Sequence, residues 1–271
     1  GRLLLALLKP TSGSVLYEGK DVWKMKKWEF MEYRRNAQII HQNPYNALNP
    51  VRTIYQTISA PLRYYKIARN RKEAWEKSAE LLKLVGLEPP GDFLNRYPSR
   101  LSGGQMQRVA IARAISVNPR FLVADEAVSM LDASLRIGII DLLIDLKKRF
   151  DLTCLFISHD FGVARYFSYN GKVMVMYLGN IVELGGTEEV IHKPLHPYTK
   201  ALISAVPVPD PKLQRERSLP PLKSMEISRL TESMRGCKFY PRCPYGTKEC
   251  AEKMPELVET KGRFVACFLY D

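Results

Sequence analysis

Two stretches of the chain combine residue types that could handle phosphate and activate water. The first is Leu101-Ser102-Gly103-Gly104-Gln105-Met106-Gln107-Arg108. A hydroxyl followed by two residues without side chains, at the start of a helix, exposes backbone N–H groups at the positive end of the helix dipole. That arrangement binds phosphate. Ser-Gly-Gly by itself is also an ordinary helix N-cap, so its company matters. The second stretch, Phe121-Leu122-Val123-Ala124-Asp125-Glu126, delivers two carboxylates at the C-terminal edge of an apolar strand. Ligands of open α/β sheets bind at that edge. One carboxylate can hold Mg²⁺ through water, since hard cations prefer oxygen ligands. Its neighbour can accept a proton from an attacking water. Ser158-His159-Asp160 ends the next strand and places an imidazole at the same edge. Alone, each of these two features has a plain structural reading, an acidic helix start and a packing histidine.

Cysteine supplies a separate set. Of five cysteines, Cys154 sits in the apolar run Thr153-Cys154-Leu155-Phe156-Ile157, and the other four are Cys237, Cys243, Cys250 and Cys267. Such clustering suggests a local ligand set rather than a chain-wide disulfide framework. Four thiolates can close a tetrahedral zinc site or hold an iron–sulfur cluster. The intervals of five, six and sixteen residues are unlike the short pairs of zinc ribbons. Zinc, a cluster, disulfides and free thiols all remain open on the residues alone.

The elements that must position these groups follow from periodicity. Residues 14–22 read as short strand segments with a turn at Glu18-Gly19-Lys20-Asp21, and 24–36 as a helix. Ala37-Gln38-Ile39-Ile40 reads as a buried strand ending at His41-Gln42-Asn43-Pro44. From Ile54 to Leu87 the pattern is helical, with Gly86 as a C-terminal cap. Further helices are expected over 105–117 and 133–150, and apolar strands over 121–124 and 153–158. Apolar strands alternating with helices predict an α/β fold with a parallel sheet covered on both faces. After Val206, Pro207, Pro209, Pro211, Pro220 and Pro221 mark a linker to the cysteine-bearing tail.

Composition limits the classes available. The 271 residues carry 41 Lys and Arg against 28 Asp and Glu, a net charge of +13, with 46% hydrophobic residues. These values exclude wholesale disorder, and no apolar run approaches the ~20 residues of a membrane-spanning helix. The basic residues are interleaved with acids, as on a solvated surface, and are densest from Arg63 to Lys72, the best candidate for a docking face. Gly1-Arg2-Leu3-Leu4-Leu5-Ala6-Leu7-Leu8 is too short for a signal-peptide core and lacks a cleavage site. With no initiator Met, the sequence reads as starting inside a larger protein.

In order and spacing, these motifs resemble the nucleotide-binding subunits of ABC transporters over nearly the whole chain. The resemblance implies a P-loop NTPase-like ABC ATPase core over residues 1–205, with an inserted α-helical subdomain near 45–118 and a small cysteine-containing C-terminal extension over 206–271. Leu101 to Gln105 matches the family signature, and Ser102, Gly103, Gly104 and Gln105 would face ATP bound to the other subunit. Asp125 resembles the Walker B aspartate and Glu126 the catalytic glutamate. Ser129-Met130-Leu131-Asp132 resembles the D-loop, and His159 the switch histidine. Gln42 resembles the glutamine that contacts Mg²⁺ and senses the transmembrane partner. Two such domains would close around two ATP molecules and reopen on hydrolysis. Ala127 departs from the family, which usually has Pro there. No phosphate-binding loop G-x-x-x-x-G-K-S/T is present. The near match Gly13 to Lys20 has five residues between its glycines and is followed by Asp21. In the family a helix like Gly1–Gly13 directly follows that loop. The expectation is a truncated domain that by itself binds ATP feebly and does not hydrolyse it.

The C-terminal third narrows the resemblance. His196-Pro197-Tyr198-Thr199-Lys200-Ala201-Leu202, Pro207-Val208-Pro209-Asp210-Pro211 and Gly236-Cys237-Lys238-Phe239-Tyr240-Pro241-Arg242-Cys243-Pro244 resemble the oligopeptide/dipeptide importer ATPases. That group implies a second ABC ATPase subunit, two transmembrane permeases, an external solute-binding protein and a peripheral place on the cytoplasmic face of the cell membrane. Relatives in the group also import nickel or oligosaccharides, which are the alternative cargoes. Some carry a 4Fe–4S cluster in the matching tail, which makes Cys237, Cys243, Cys250 and Cys267 its expected ligands, and a cytoplasmic setting weakens the disulfide option. A soluble ABC ATPase acting on nucleic acid or ribosomes is the rival, but no second ATPase core or long coiled-coil insert is visible, and nucleic acid is not expected as a partner. His41 is read as packing or local hydrogen bonding, and His192 and His196 as lying at a helix boundary without a metal role. Trp23, Trp28 and Trp75 are read as core or interface aromatics.

Overall fold

The computed structural model describes residues 1–206, 221–224 and 235–270. Pro207, Pro209, Pro211 and Pro220, expected to mark a linker, lie outside the described residues. The chain forms two compact units, Gly1–His159 and Asp160–Asp271.

The first unit is organised by a parallel sheet. Strand β3 (Ala37–Ile40), β4 (Phe121–Asp125) and β5 (Thr153–Ile157) lie in the order β3-β4-β5, with a short hairpin of β1 (Leu16–Tyr17) and β2 (Lys20–Asp21) before them. In the register, Ile40 stands opposite Ala124, Ala124 opposite Phe156, and Asp125 opposite Ile157. β4 has a neighbour on each side, and its Leu122, Val123 and Ala124 are buried. A strand in that position has no polar face, which is why it reads as an unbroken apolar run. The expectation of a fully buried β5 is corrected. Among the described residues it pairs only with β4, and Cys154 to Ile157 are half-buried.

Helix α1 (Lys27–Asn36) precedes β3, and its Trp28 is 63% exposed, so this tryptophan is not a core aromatic. After β3 come α2 (Pro44–Ala47), α3 (Ile54–Tyr64), α4 (Arg71–Leu84), α5 (Pro90–Leu94) and α6 (Gly103–Ile115). The expected helical stretch from Ile54 to Leu87 is thus two helices. Lys66 takes φ +55°, the Ile67 and Ala68 N–H groups turn back to the Leu62 carbonyl, and Asn70 caps α4 by accepting the Glu73 N–H at 2.9 Å. Asn is a strong N-cap and so restarts a helix rather than extending one. Gly86 ends α4 with φ +73°, as expected of a C-terminal cap. α7 (Ala133–Arg149) closes on Lys147, Lys148 and Arg149, cations that favour a helix C-terminus. Residues 2–8 form turns rather than the expected helix. Ala6 has φ +50° there and is buried with Leu5, while Leu3, Leu4, Leu7 and Leu8 are exposed.

The second unit holds α8 (Phe161–Phe167), β6 (Lys172–Tyr177), β7 (Asn180–Gly186), α9 (Thr187–His192), α10 (Pro197–Ser204), α11 (Lys248–Glu252), β8 (Val258–Thr260) and β9 (Arg263–Val265). Its sheet runs in the order β6-β7-β9-β8 and every pair is antiparallel, unlike the parallel sheet of the first unit. The hairpin turns Leu178-Gly179 and Lys261-Gly262 have positive φ at both central residues, the geometry whose twist matches the flanking strands. No helix among the described residues is long and apolar enough to cross a membrane.

A buried ion pair ties this unit together. Arg263 (4% exposed) faces Glu183 (0%) at 3.4 Å. The Glu183 carboxylate accepts the backbone N–H groups of Leu195 and His196 at 2.9 and 3.0 Å. Arg263 donates to the Glu189 carbonyl at 2.7 Å and to the Lys193 carbonyl. Removing one partner leaves an uncompensated buried charge, so Arg263→Met should destabilise the second unit by about 3–5 kcal/mol. Urea unfolding followed by a probe in that unit checks this, and Glu183→Gln added to Arg263→Met should recover part of the loss.

His196 caps α10, its Nδ1 accepting the Tyr198 N–H at 3.0 Å, and it is 1% exposed. Burial, helped by the nearby Lys200 charge, holds its pKa down at about 4. The unfolded chain therefore binds a proton that the folded one refuses between pH about 6.5 and 4, and stability falls as pH drops through that window, by about 1.4 kcal/mol per pH unit. His196→Asn keeps a cap acceptor but should flatten this slope, read from urea midpoints between neutral and mildly acidic pH.

Candidate ATP site at the sheet edge

The parallel register brings the C-terminal ends of β3, β4 and β5 to one edge, and with them Gln42, Asp125, Glu126 and His159. Gln42 donates from Nε2 to Glu126 Oε2 at 2.7 Å, and His159 Nδ1 stands 3.6 Å from the same oxygen. Glu126 occupies left-handed backbone space, φ +49°, and its N–H donates to the Ile157 carbonyl at 3.0 Å. Its own carbonyl accepts the Ser129 N–H and hydroxyl, both at 3.0 Å. A non-glycine residue forced into this region costs about 1–3 kcal/mol, and such strain gathers at functional sites. Asp125 ends β4 half-buried, and Ala127, where the family usually has Pro, is buried at 2%. His41, next to Gln42, is exposed. Partial burial, then the Arg113 and Arg2 charges, lower its pKa against the opposing pull of Asp125.

The Ser-Gly-Gly segment starts α6 as expected. Ser102 Oγ accepts the Gln105 N–H at 3.3 Å, and the Gln105 side chain accepts the Ser102 N–H at 3.0 Å, a reciprocal capping box. The N–H groups of Gly103 and Gly104 have no acceptor among the described residues, so two donors stand at the positive helix end. A Cβ on Gly103 would lie 3.6 Å from the Tyr45 hydroxyl and 3.9 Å from Leu131, and one on Gly104 would lie 3.3 Å from Leu135. The cap is therefore packed against the segment carrying Asp132, which is exposed at the start of α7 without a side-chain cap bond.

The structure brings Cys237, Cys243, Cys250 and Cys267 to one cavity of about 50 Å³, which His196 and Phe239 also line. All four are free thiols. Backbone amides of Phe239, Tyr245 and Leu269 favour the thiolates of Cys237, Cys243 and Cys267, but burial outweighs them and raises all three, Cys267 to about 11. Among the described residues no three His, Cys, Asp or Glu side chains are grouped to hold a metal ion, so the expected ligand set is not drawn together in this arrangement. Cys154 is pushed up to about 12 by burial in β5 and is an inert packing thiol.

Two of three further residues near these groups carry no signal in the sequence. Tyr45 lies against Gly103, Arg113 donates to the Ala47 carbonyl at 2.6 Å, and His196 borders the cysteine cavity. Only His196 is legible as a residue of interest, as a helix-boundary histidine without a metal role. Ser102→Ala should remove the acceptor for the Gln105 N–H and cost about 1 kcal/mol, measured as a shift in the urea midpoint of the first unit. Ser102→Asn should keep the cap and the midpoint.

Known proteins align with the whole of this architecture. A family model described as "ABC transporter" matches residues 2–129, and one described as "Oligopeptide/dipeptide transporter, C-terminal region" matches residues 182–250. The chain is 43% identical, over its full length and 81% of the relative's, to the putative oligopeptide transport ATP-binding protein YkfD of Bacillus subtilis. It is 42% identical, over its full length and 79% of the relative's, to the oligopeptide transport ATP-binding protein OppF of Salmonella typhimurium. Among solved structures, the ATP-binding cassette MJ0796, a dimer in a post-hydrolysis state bound to ADP and Pi, superposes with a TM-score of 0.60 at 30% identity, covering 69% of this chain and 78% of that one. The cbiO1 protein of Clostridium perfringens, part of the ABC transporter complex cbiONQ, gives 0.60 at 26% identity over 71% and 73% of the two chains. The chain is an ABC transporter ATP-binding protein of the family that carries the oligopeptide/dipeptide transporter C-terminal region.

Proposed function

We propose that this chain energises the import of short peptides, as one of a pair of ATP-hydrolysing subunits docked on two membrane permeases. The observation that carries the reading is the Gln42–Glu126–His159 group at the edge of β4, in a chain 42–43% identical to named oligopeptide transport ATP-binding proteins. The same reading places the subunit peripherally on the cytoplasmic face of the membrane, fed by an external solute-binding protein. It divides the chain into a nucleotide-binding domain over 1–205, with a helical subdomain near 45–118, and an extension over 206–271.

Each residue then has a task. Asp125 and Gln42 offer oxygen donors at one strand edge, a set that fits a hard cation, and would hold Mg²⁺. Mg²⁺ supplies neutralisation of phosphate charge. Glu126 takes the proton of the attacking water on Oε1, because Oε2 is already engaged by Gln42. His159 beside Oε2 keeps the carboxylate oriented. The free amides of Gly103 and Gly104, with Ser102, Gln105 and Asp132 around them, face the phosphates of ATP held by the other subunit. No G-x-x-x-x-G-K-S/T occurs in the 271 residues, so by themselves they bind ATP weakly and do not hydrolyse it.

The four tail cysteines belong, in the same reading, to a 4Fe–4S cluster. The support is their shared cavity and the amides aimed at three of the sulfurs, and the four would have to draw closer than they stand here to ligate it. When bound, the group would cross-link the 237–243 loop, α11 and the chain's last residues. Because three of the thiols are held protonated, ligation must release protons and weakens as pH falls. Anaerobically purified protein should contain iron and sulfide and absorb in the visible, and colourless, iron-free protein would remove the cluster from the proposal.

The central test is Glu126→Gln in the complete subunit with its partners. Removing the proton acceptor should leave ATP binding intact and lower turnover by about 100-fold or more. Turnover within a few-fold of the parent would show that another group is the base.

A further inference from the structure

We infer that the four-residue helix α2 is a strut joining the acidic edge to helix α6, and that Arg113 and Tyr45 are its positioning residues. The inference rests on the ATPase reading above and extends it to residues which that reading does not use. At one end, Gln42 donates to Glu126 at 2.7 Å, and the next residue, Asn43, caps α2 by accepting the Tyr45 and Asn46 N–H groups at 2.9 and 3.4 Å. At the other end, Arg113 Nη1 in the last turn of α6 donates to the Ala47 carbonyl at 2.6 Å, across 66 residues of sequence. Between them, the Tyr45 hydroxyl sits over Gly103 at the α6 cap. A closed path therefore runs from Glu126 through Gln42, α2 and Arg113 along α6 to the free Gly103 and Gly104 amides.

Arg113 has no structural excuse of the ordinary kind. Partial burial disfavours its charge, and no carboxylate among the described residues offsets the cost. A half-buried, unpaired guanidinium is retained where its fixed donor fork holds something in place. Here the held group is a backbone carbonyl at the end of a helix too short to stay formed alone. Displacing α2 would move the Gln42 amide off Glu126 and change the space over Gly103 together. Tyr45 is 61% exposed and adds little to the core, so its place over Gly103 is not explained by burial.

The experiment measures ATP turnover of the complete transporter carrying Arg113→Met, Arg113→Lys, Gln42→Ala and the double variant. Arg113→Met should lower kcat about tenfold with KM for ATP within about threefold, and Arg113→Lys should restore part of it. Because Gln42 and Arg113 lie on one connection, the double variant should lose no more than the worse single one. Losses that multiply, or a kcat within about twofold of the parent for Arg113→Met, overturn the strut. If Arg113→Met does not fold, Tyr45→Ala at its exposed site serves instead. It should lower kcat at unchanged KM, and an unchanged kcat overturns the strut. Parent-like turnover in Glu126→Gln would instead indict the ATPase assignment of the acidic edge, so the two failures are distinguishable.

Discussion

The first unit depends on the backbone ladder that holds β4 between β3 and β5 in parallel register. Parallel pairing aligns the C-terminal ends of all three strands, and three loops leave the sheet side by side. Gln42, Glu126 and His159 come from positions 84 and 33 residues apart, yet converge on one carboxylate oxygen. A slip of one residue would turn Leu122 and Ala124 to the other face and carry Asp125 away from Ile157. The buried aliphatic residues of β4 are thus also the alignment device of the site.

The strained residue follows directly on this ladder. Asp125 is paired with Ile157, and Glu126 continues the ladder through its N–H to the Ile157 carbonyl before its left-handed backbone turns the chain out of the strand. The turn is then closed by Ser129 on the Glu126 carbonyl. An acid presented from such a turn has its side chain placed by the backbone rather than by rotamer choice. That is how a half-buried carboxylate holds one orientation towards Gln42 and His159.

The helical side is anchored differently, by guanidinium groups on backbone carbonyls. Arg108 donates to the Val85 carbonyl at the end of α4, and Arg113 to Ala47 at the end of α2, so α6 is tied to two other helices through their orphan C-terminal carbonyls. In the second unit, Arg263 does the same for the Glu189 and Lys193 carbonyls while facing Glu183. Arginine suits this use because one planar fork serves several acceptors at once. The pattern also gathers loops that border the cysteine cavity, whose rim includes His196, itself fixed through its N–H to Glu183.

Much was legible from local chemistry. Apolar runs marked β3, β4 and β5, Ser102 with Gln105 marked the start of α6, and Gly86 marked the end of α4. These features depend on residues a few positions apart, so sequence alone determines them. The parallel strand-helix alternation likewise fixed where Asp125, Glu126 and His159 would lie. What only the tertiary structure decided depends on partners distant in the chain. The break of 54–87 into α3 and α4 required Ile67 and Ala68 to fold back on Leu62, and the half-exposure of β5 reflects its pairing, among the described residues, with β4 alone. The antiparallel sheet joining β7 to β9, the Glu183–Arg263 pair and the Arg113 bond to Ala47 each link positions 66 to 82 residues apart. No periodicity reports such pairs, because a hydrogen bond to a backbone carbonyl leaves no trace in the identity of the residue that accepts it.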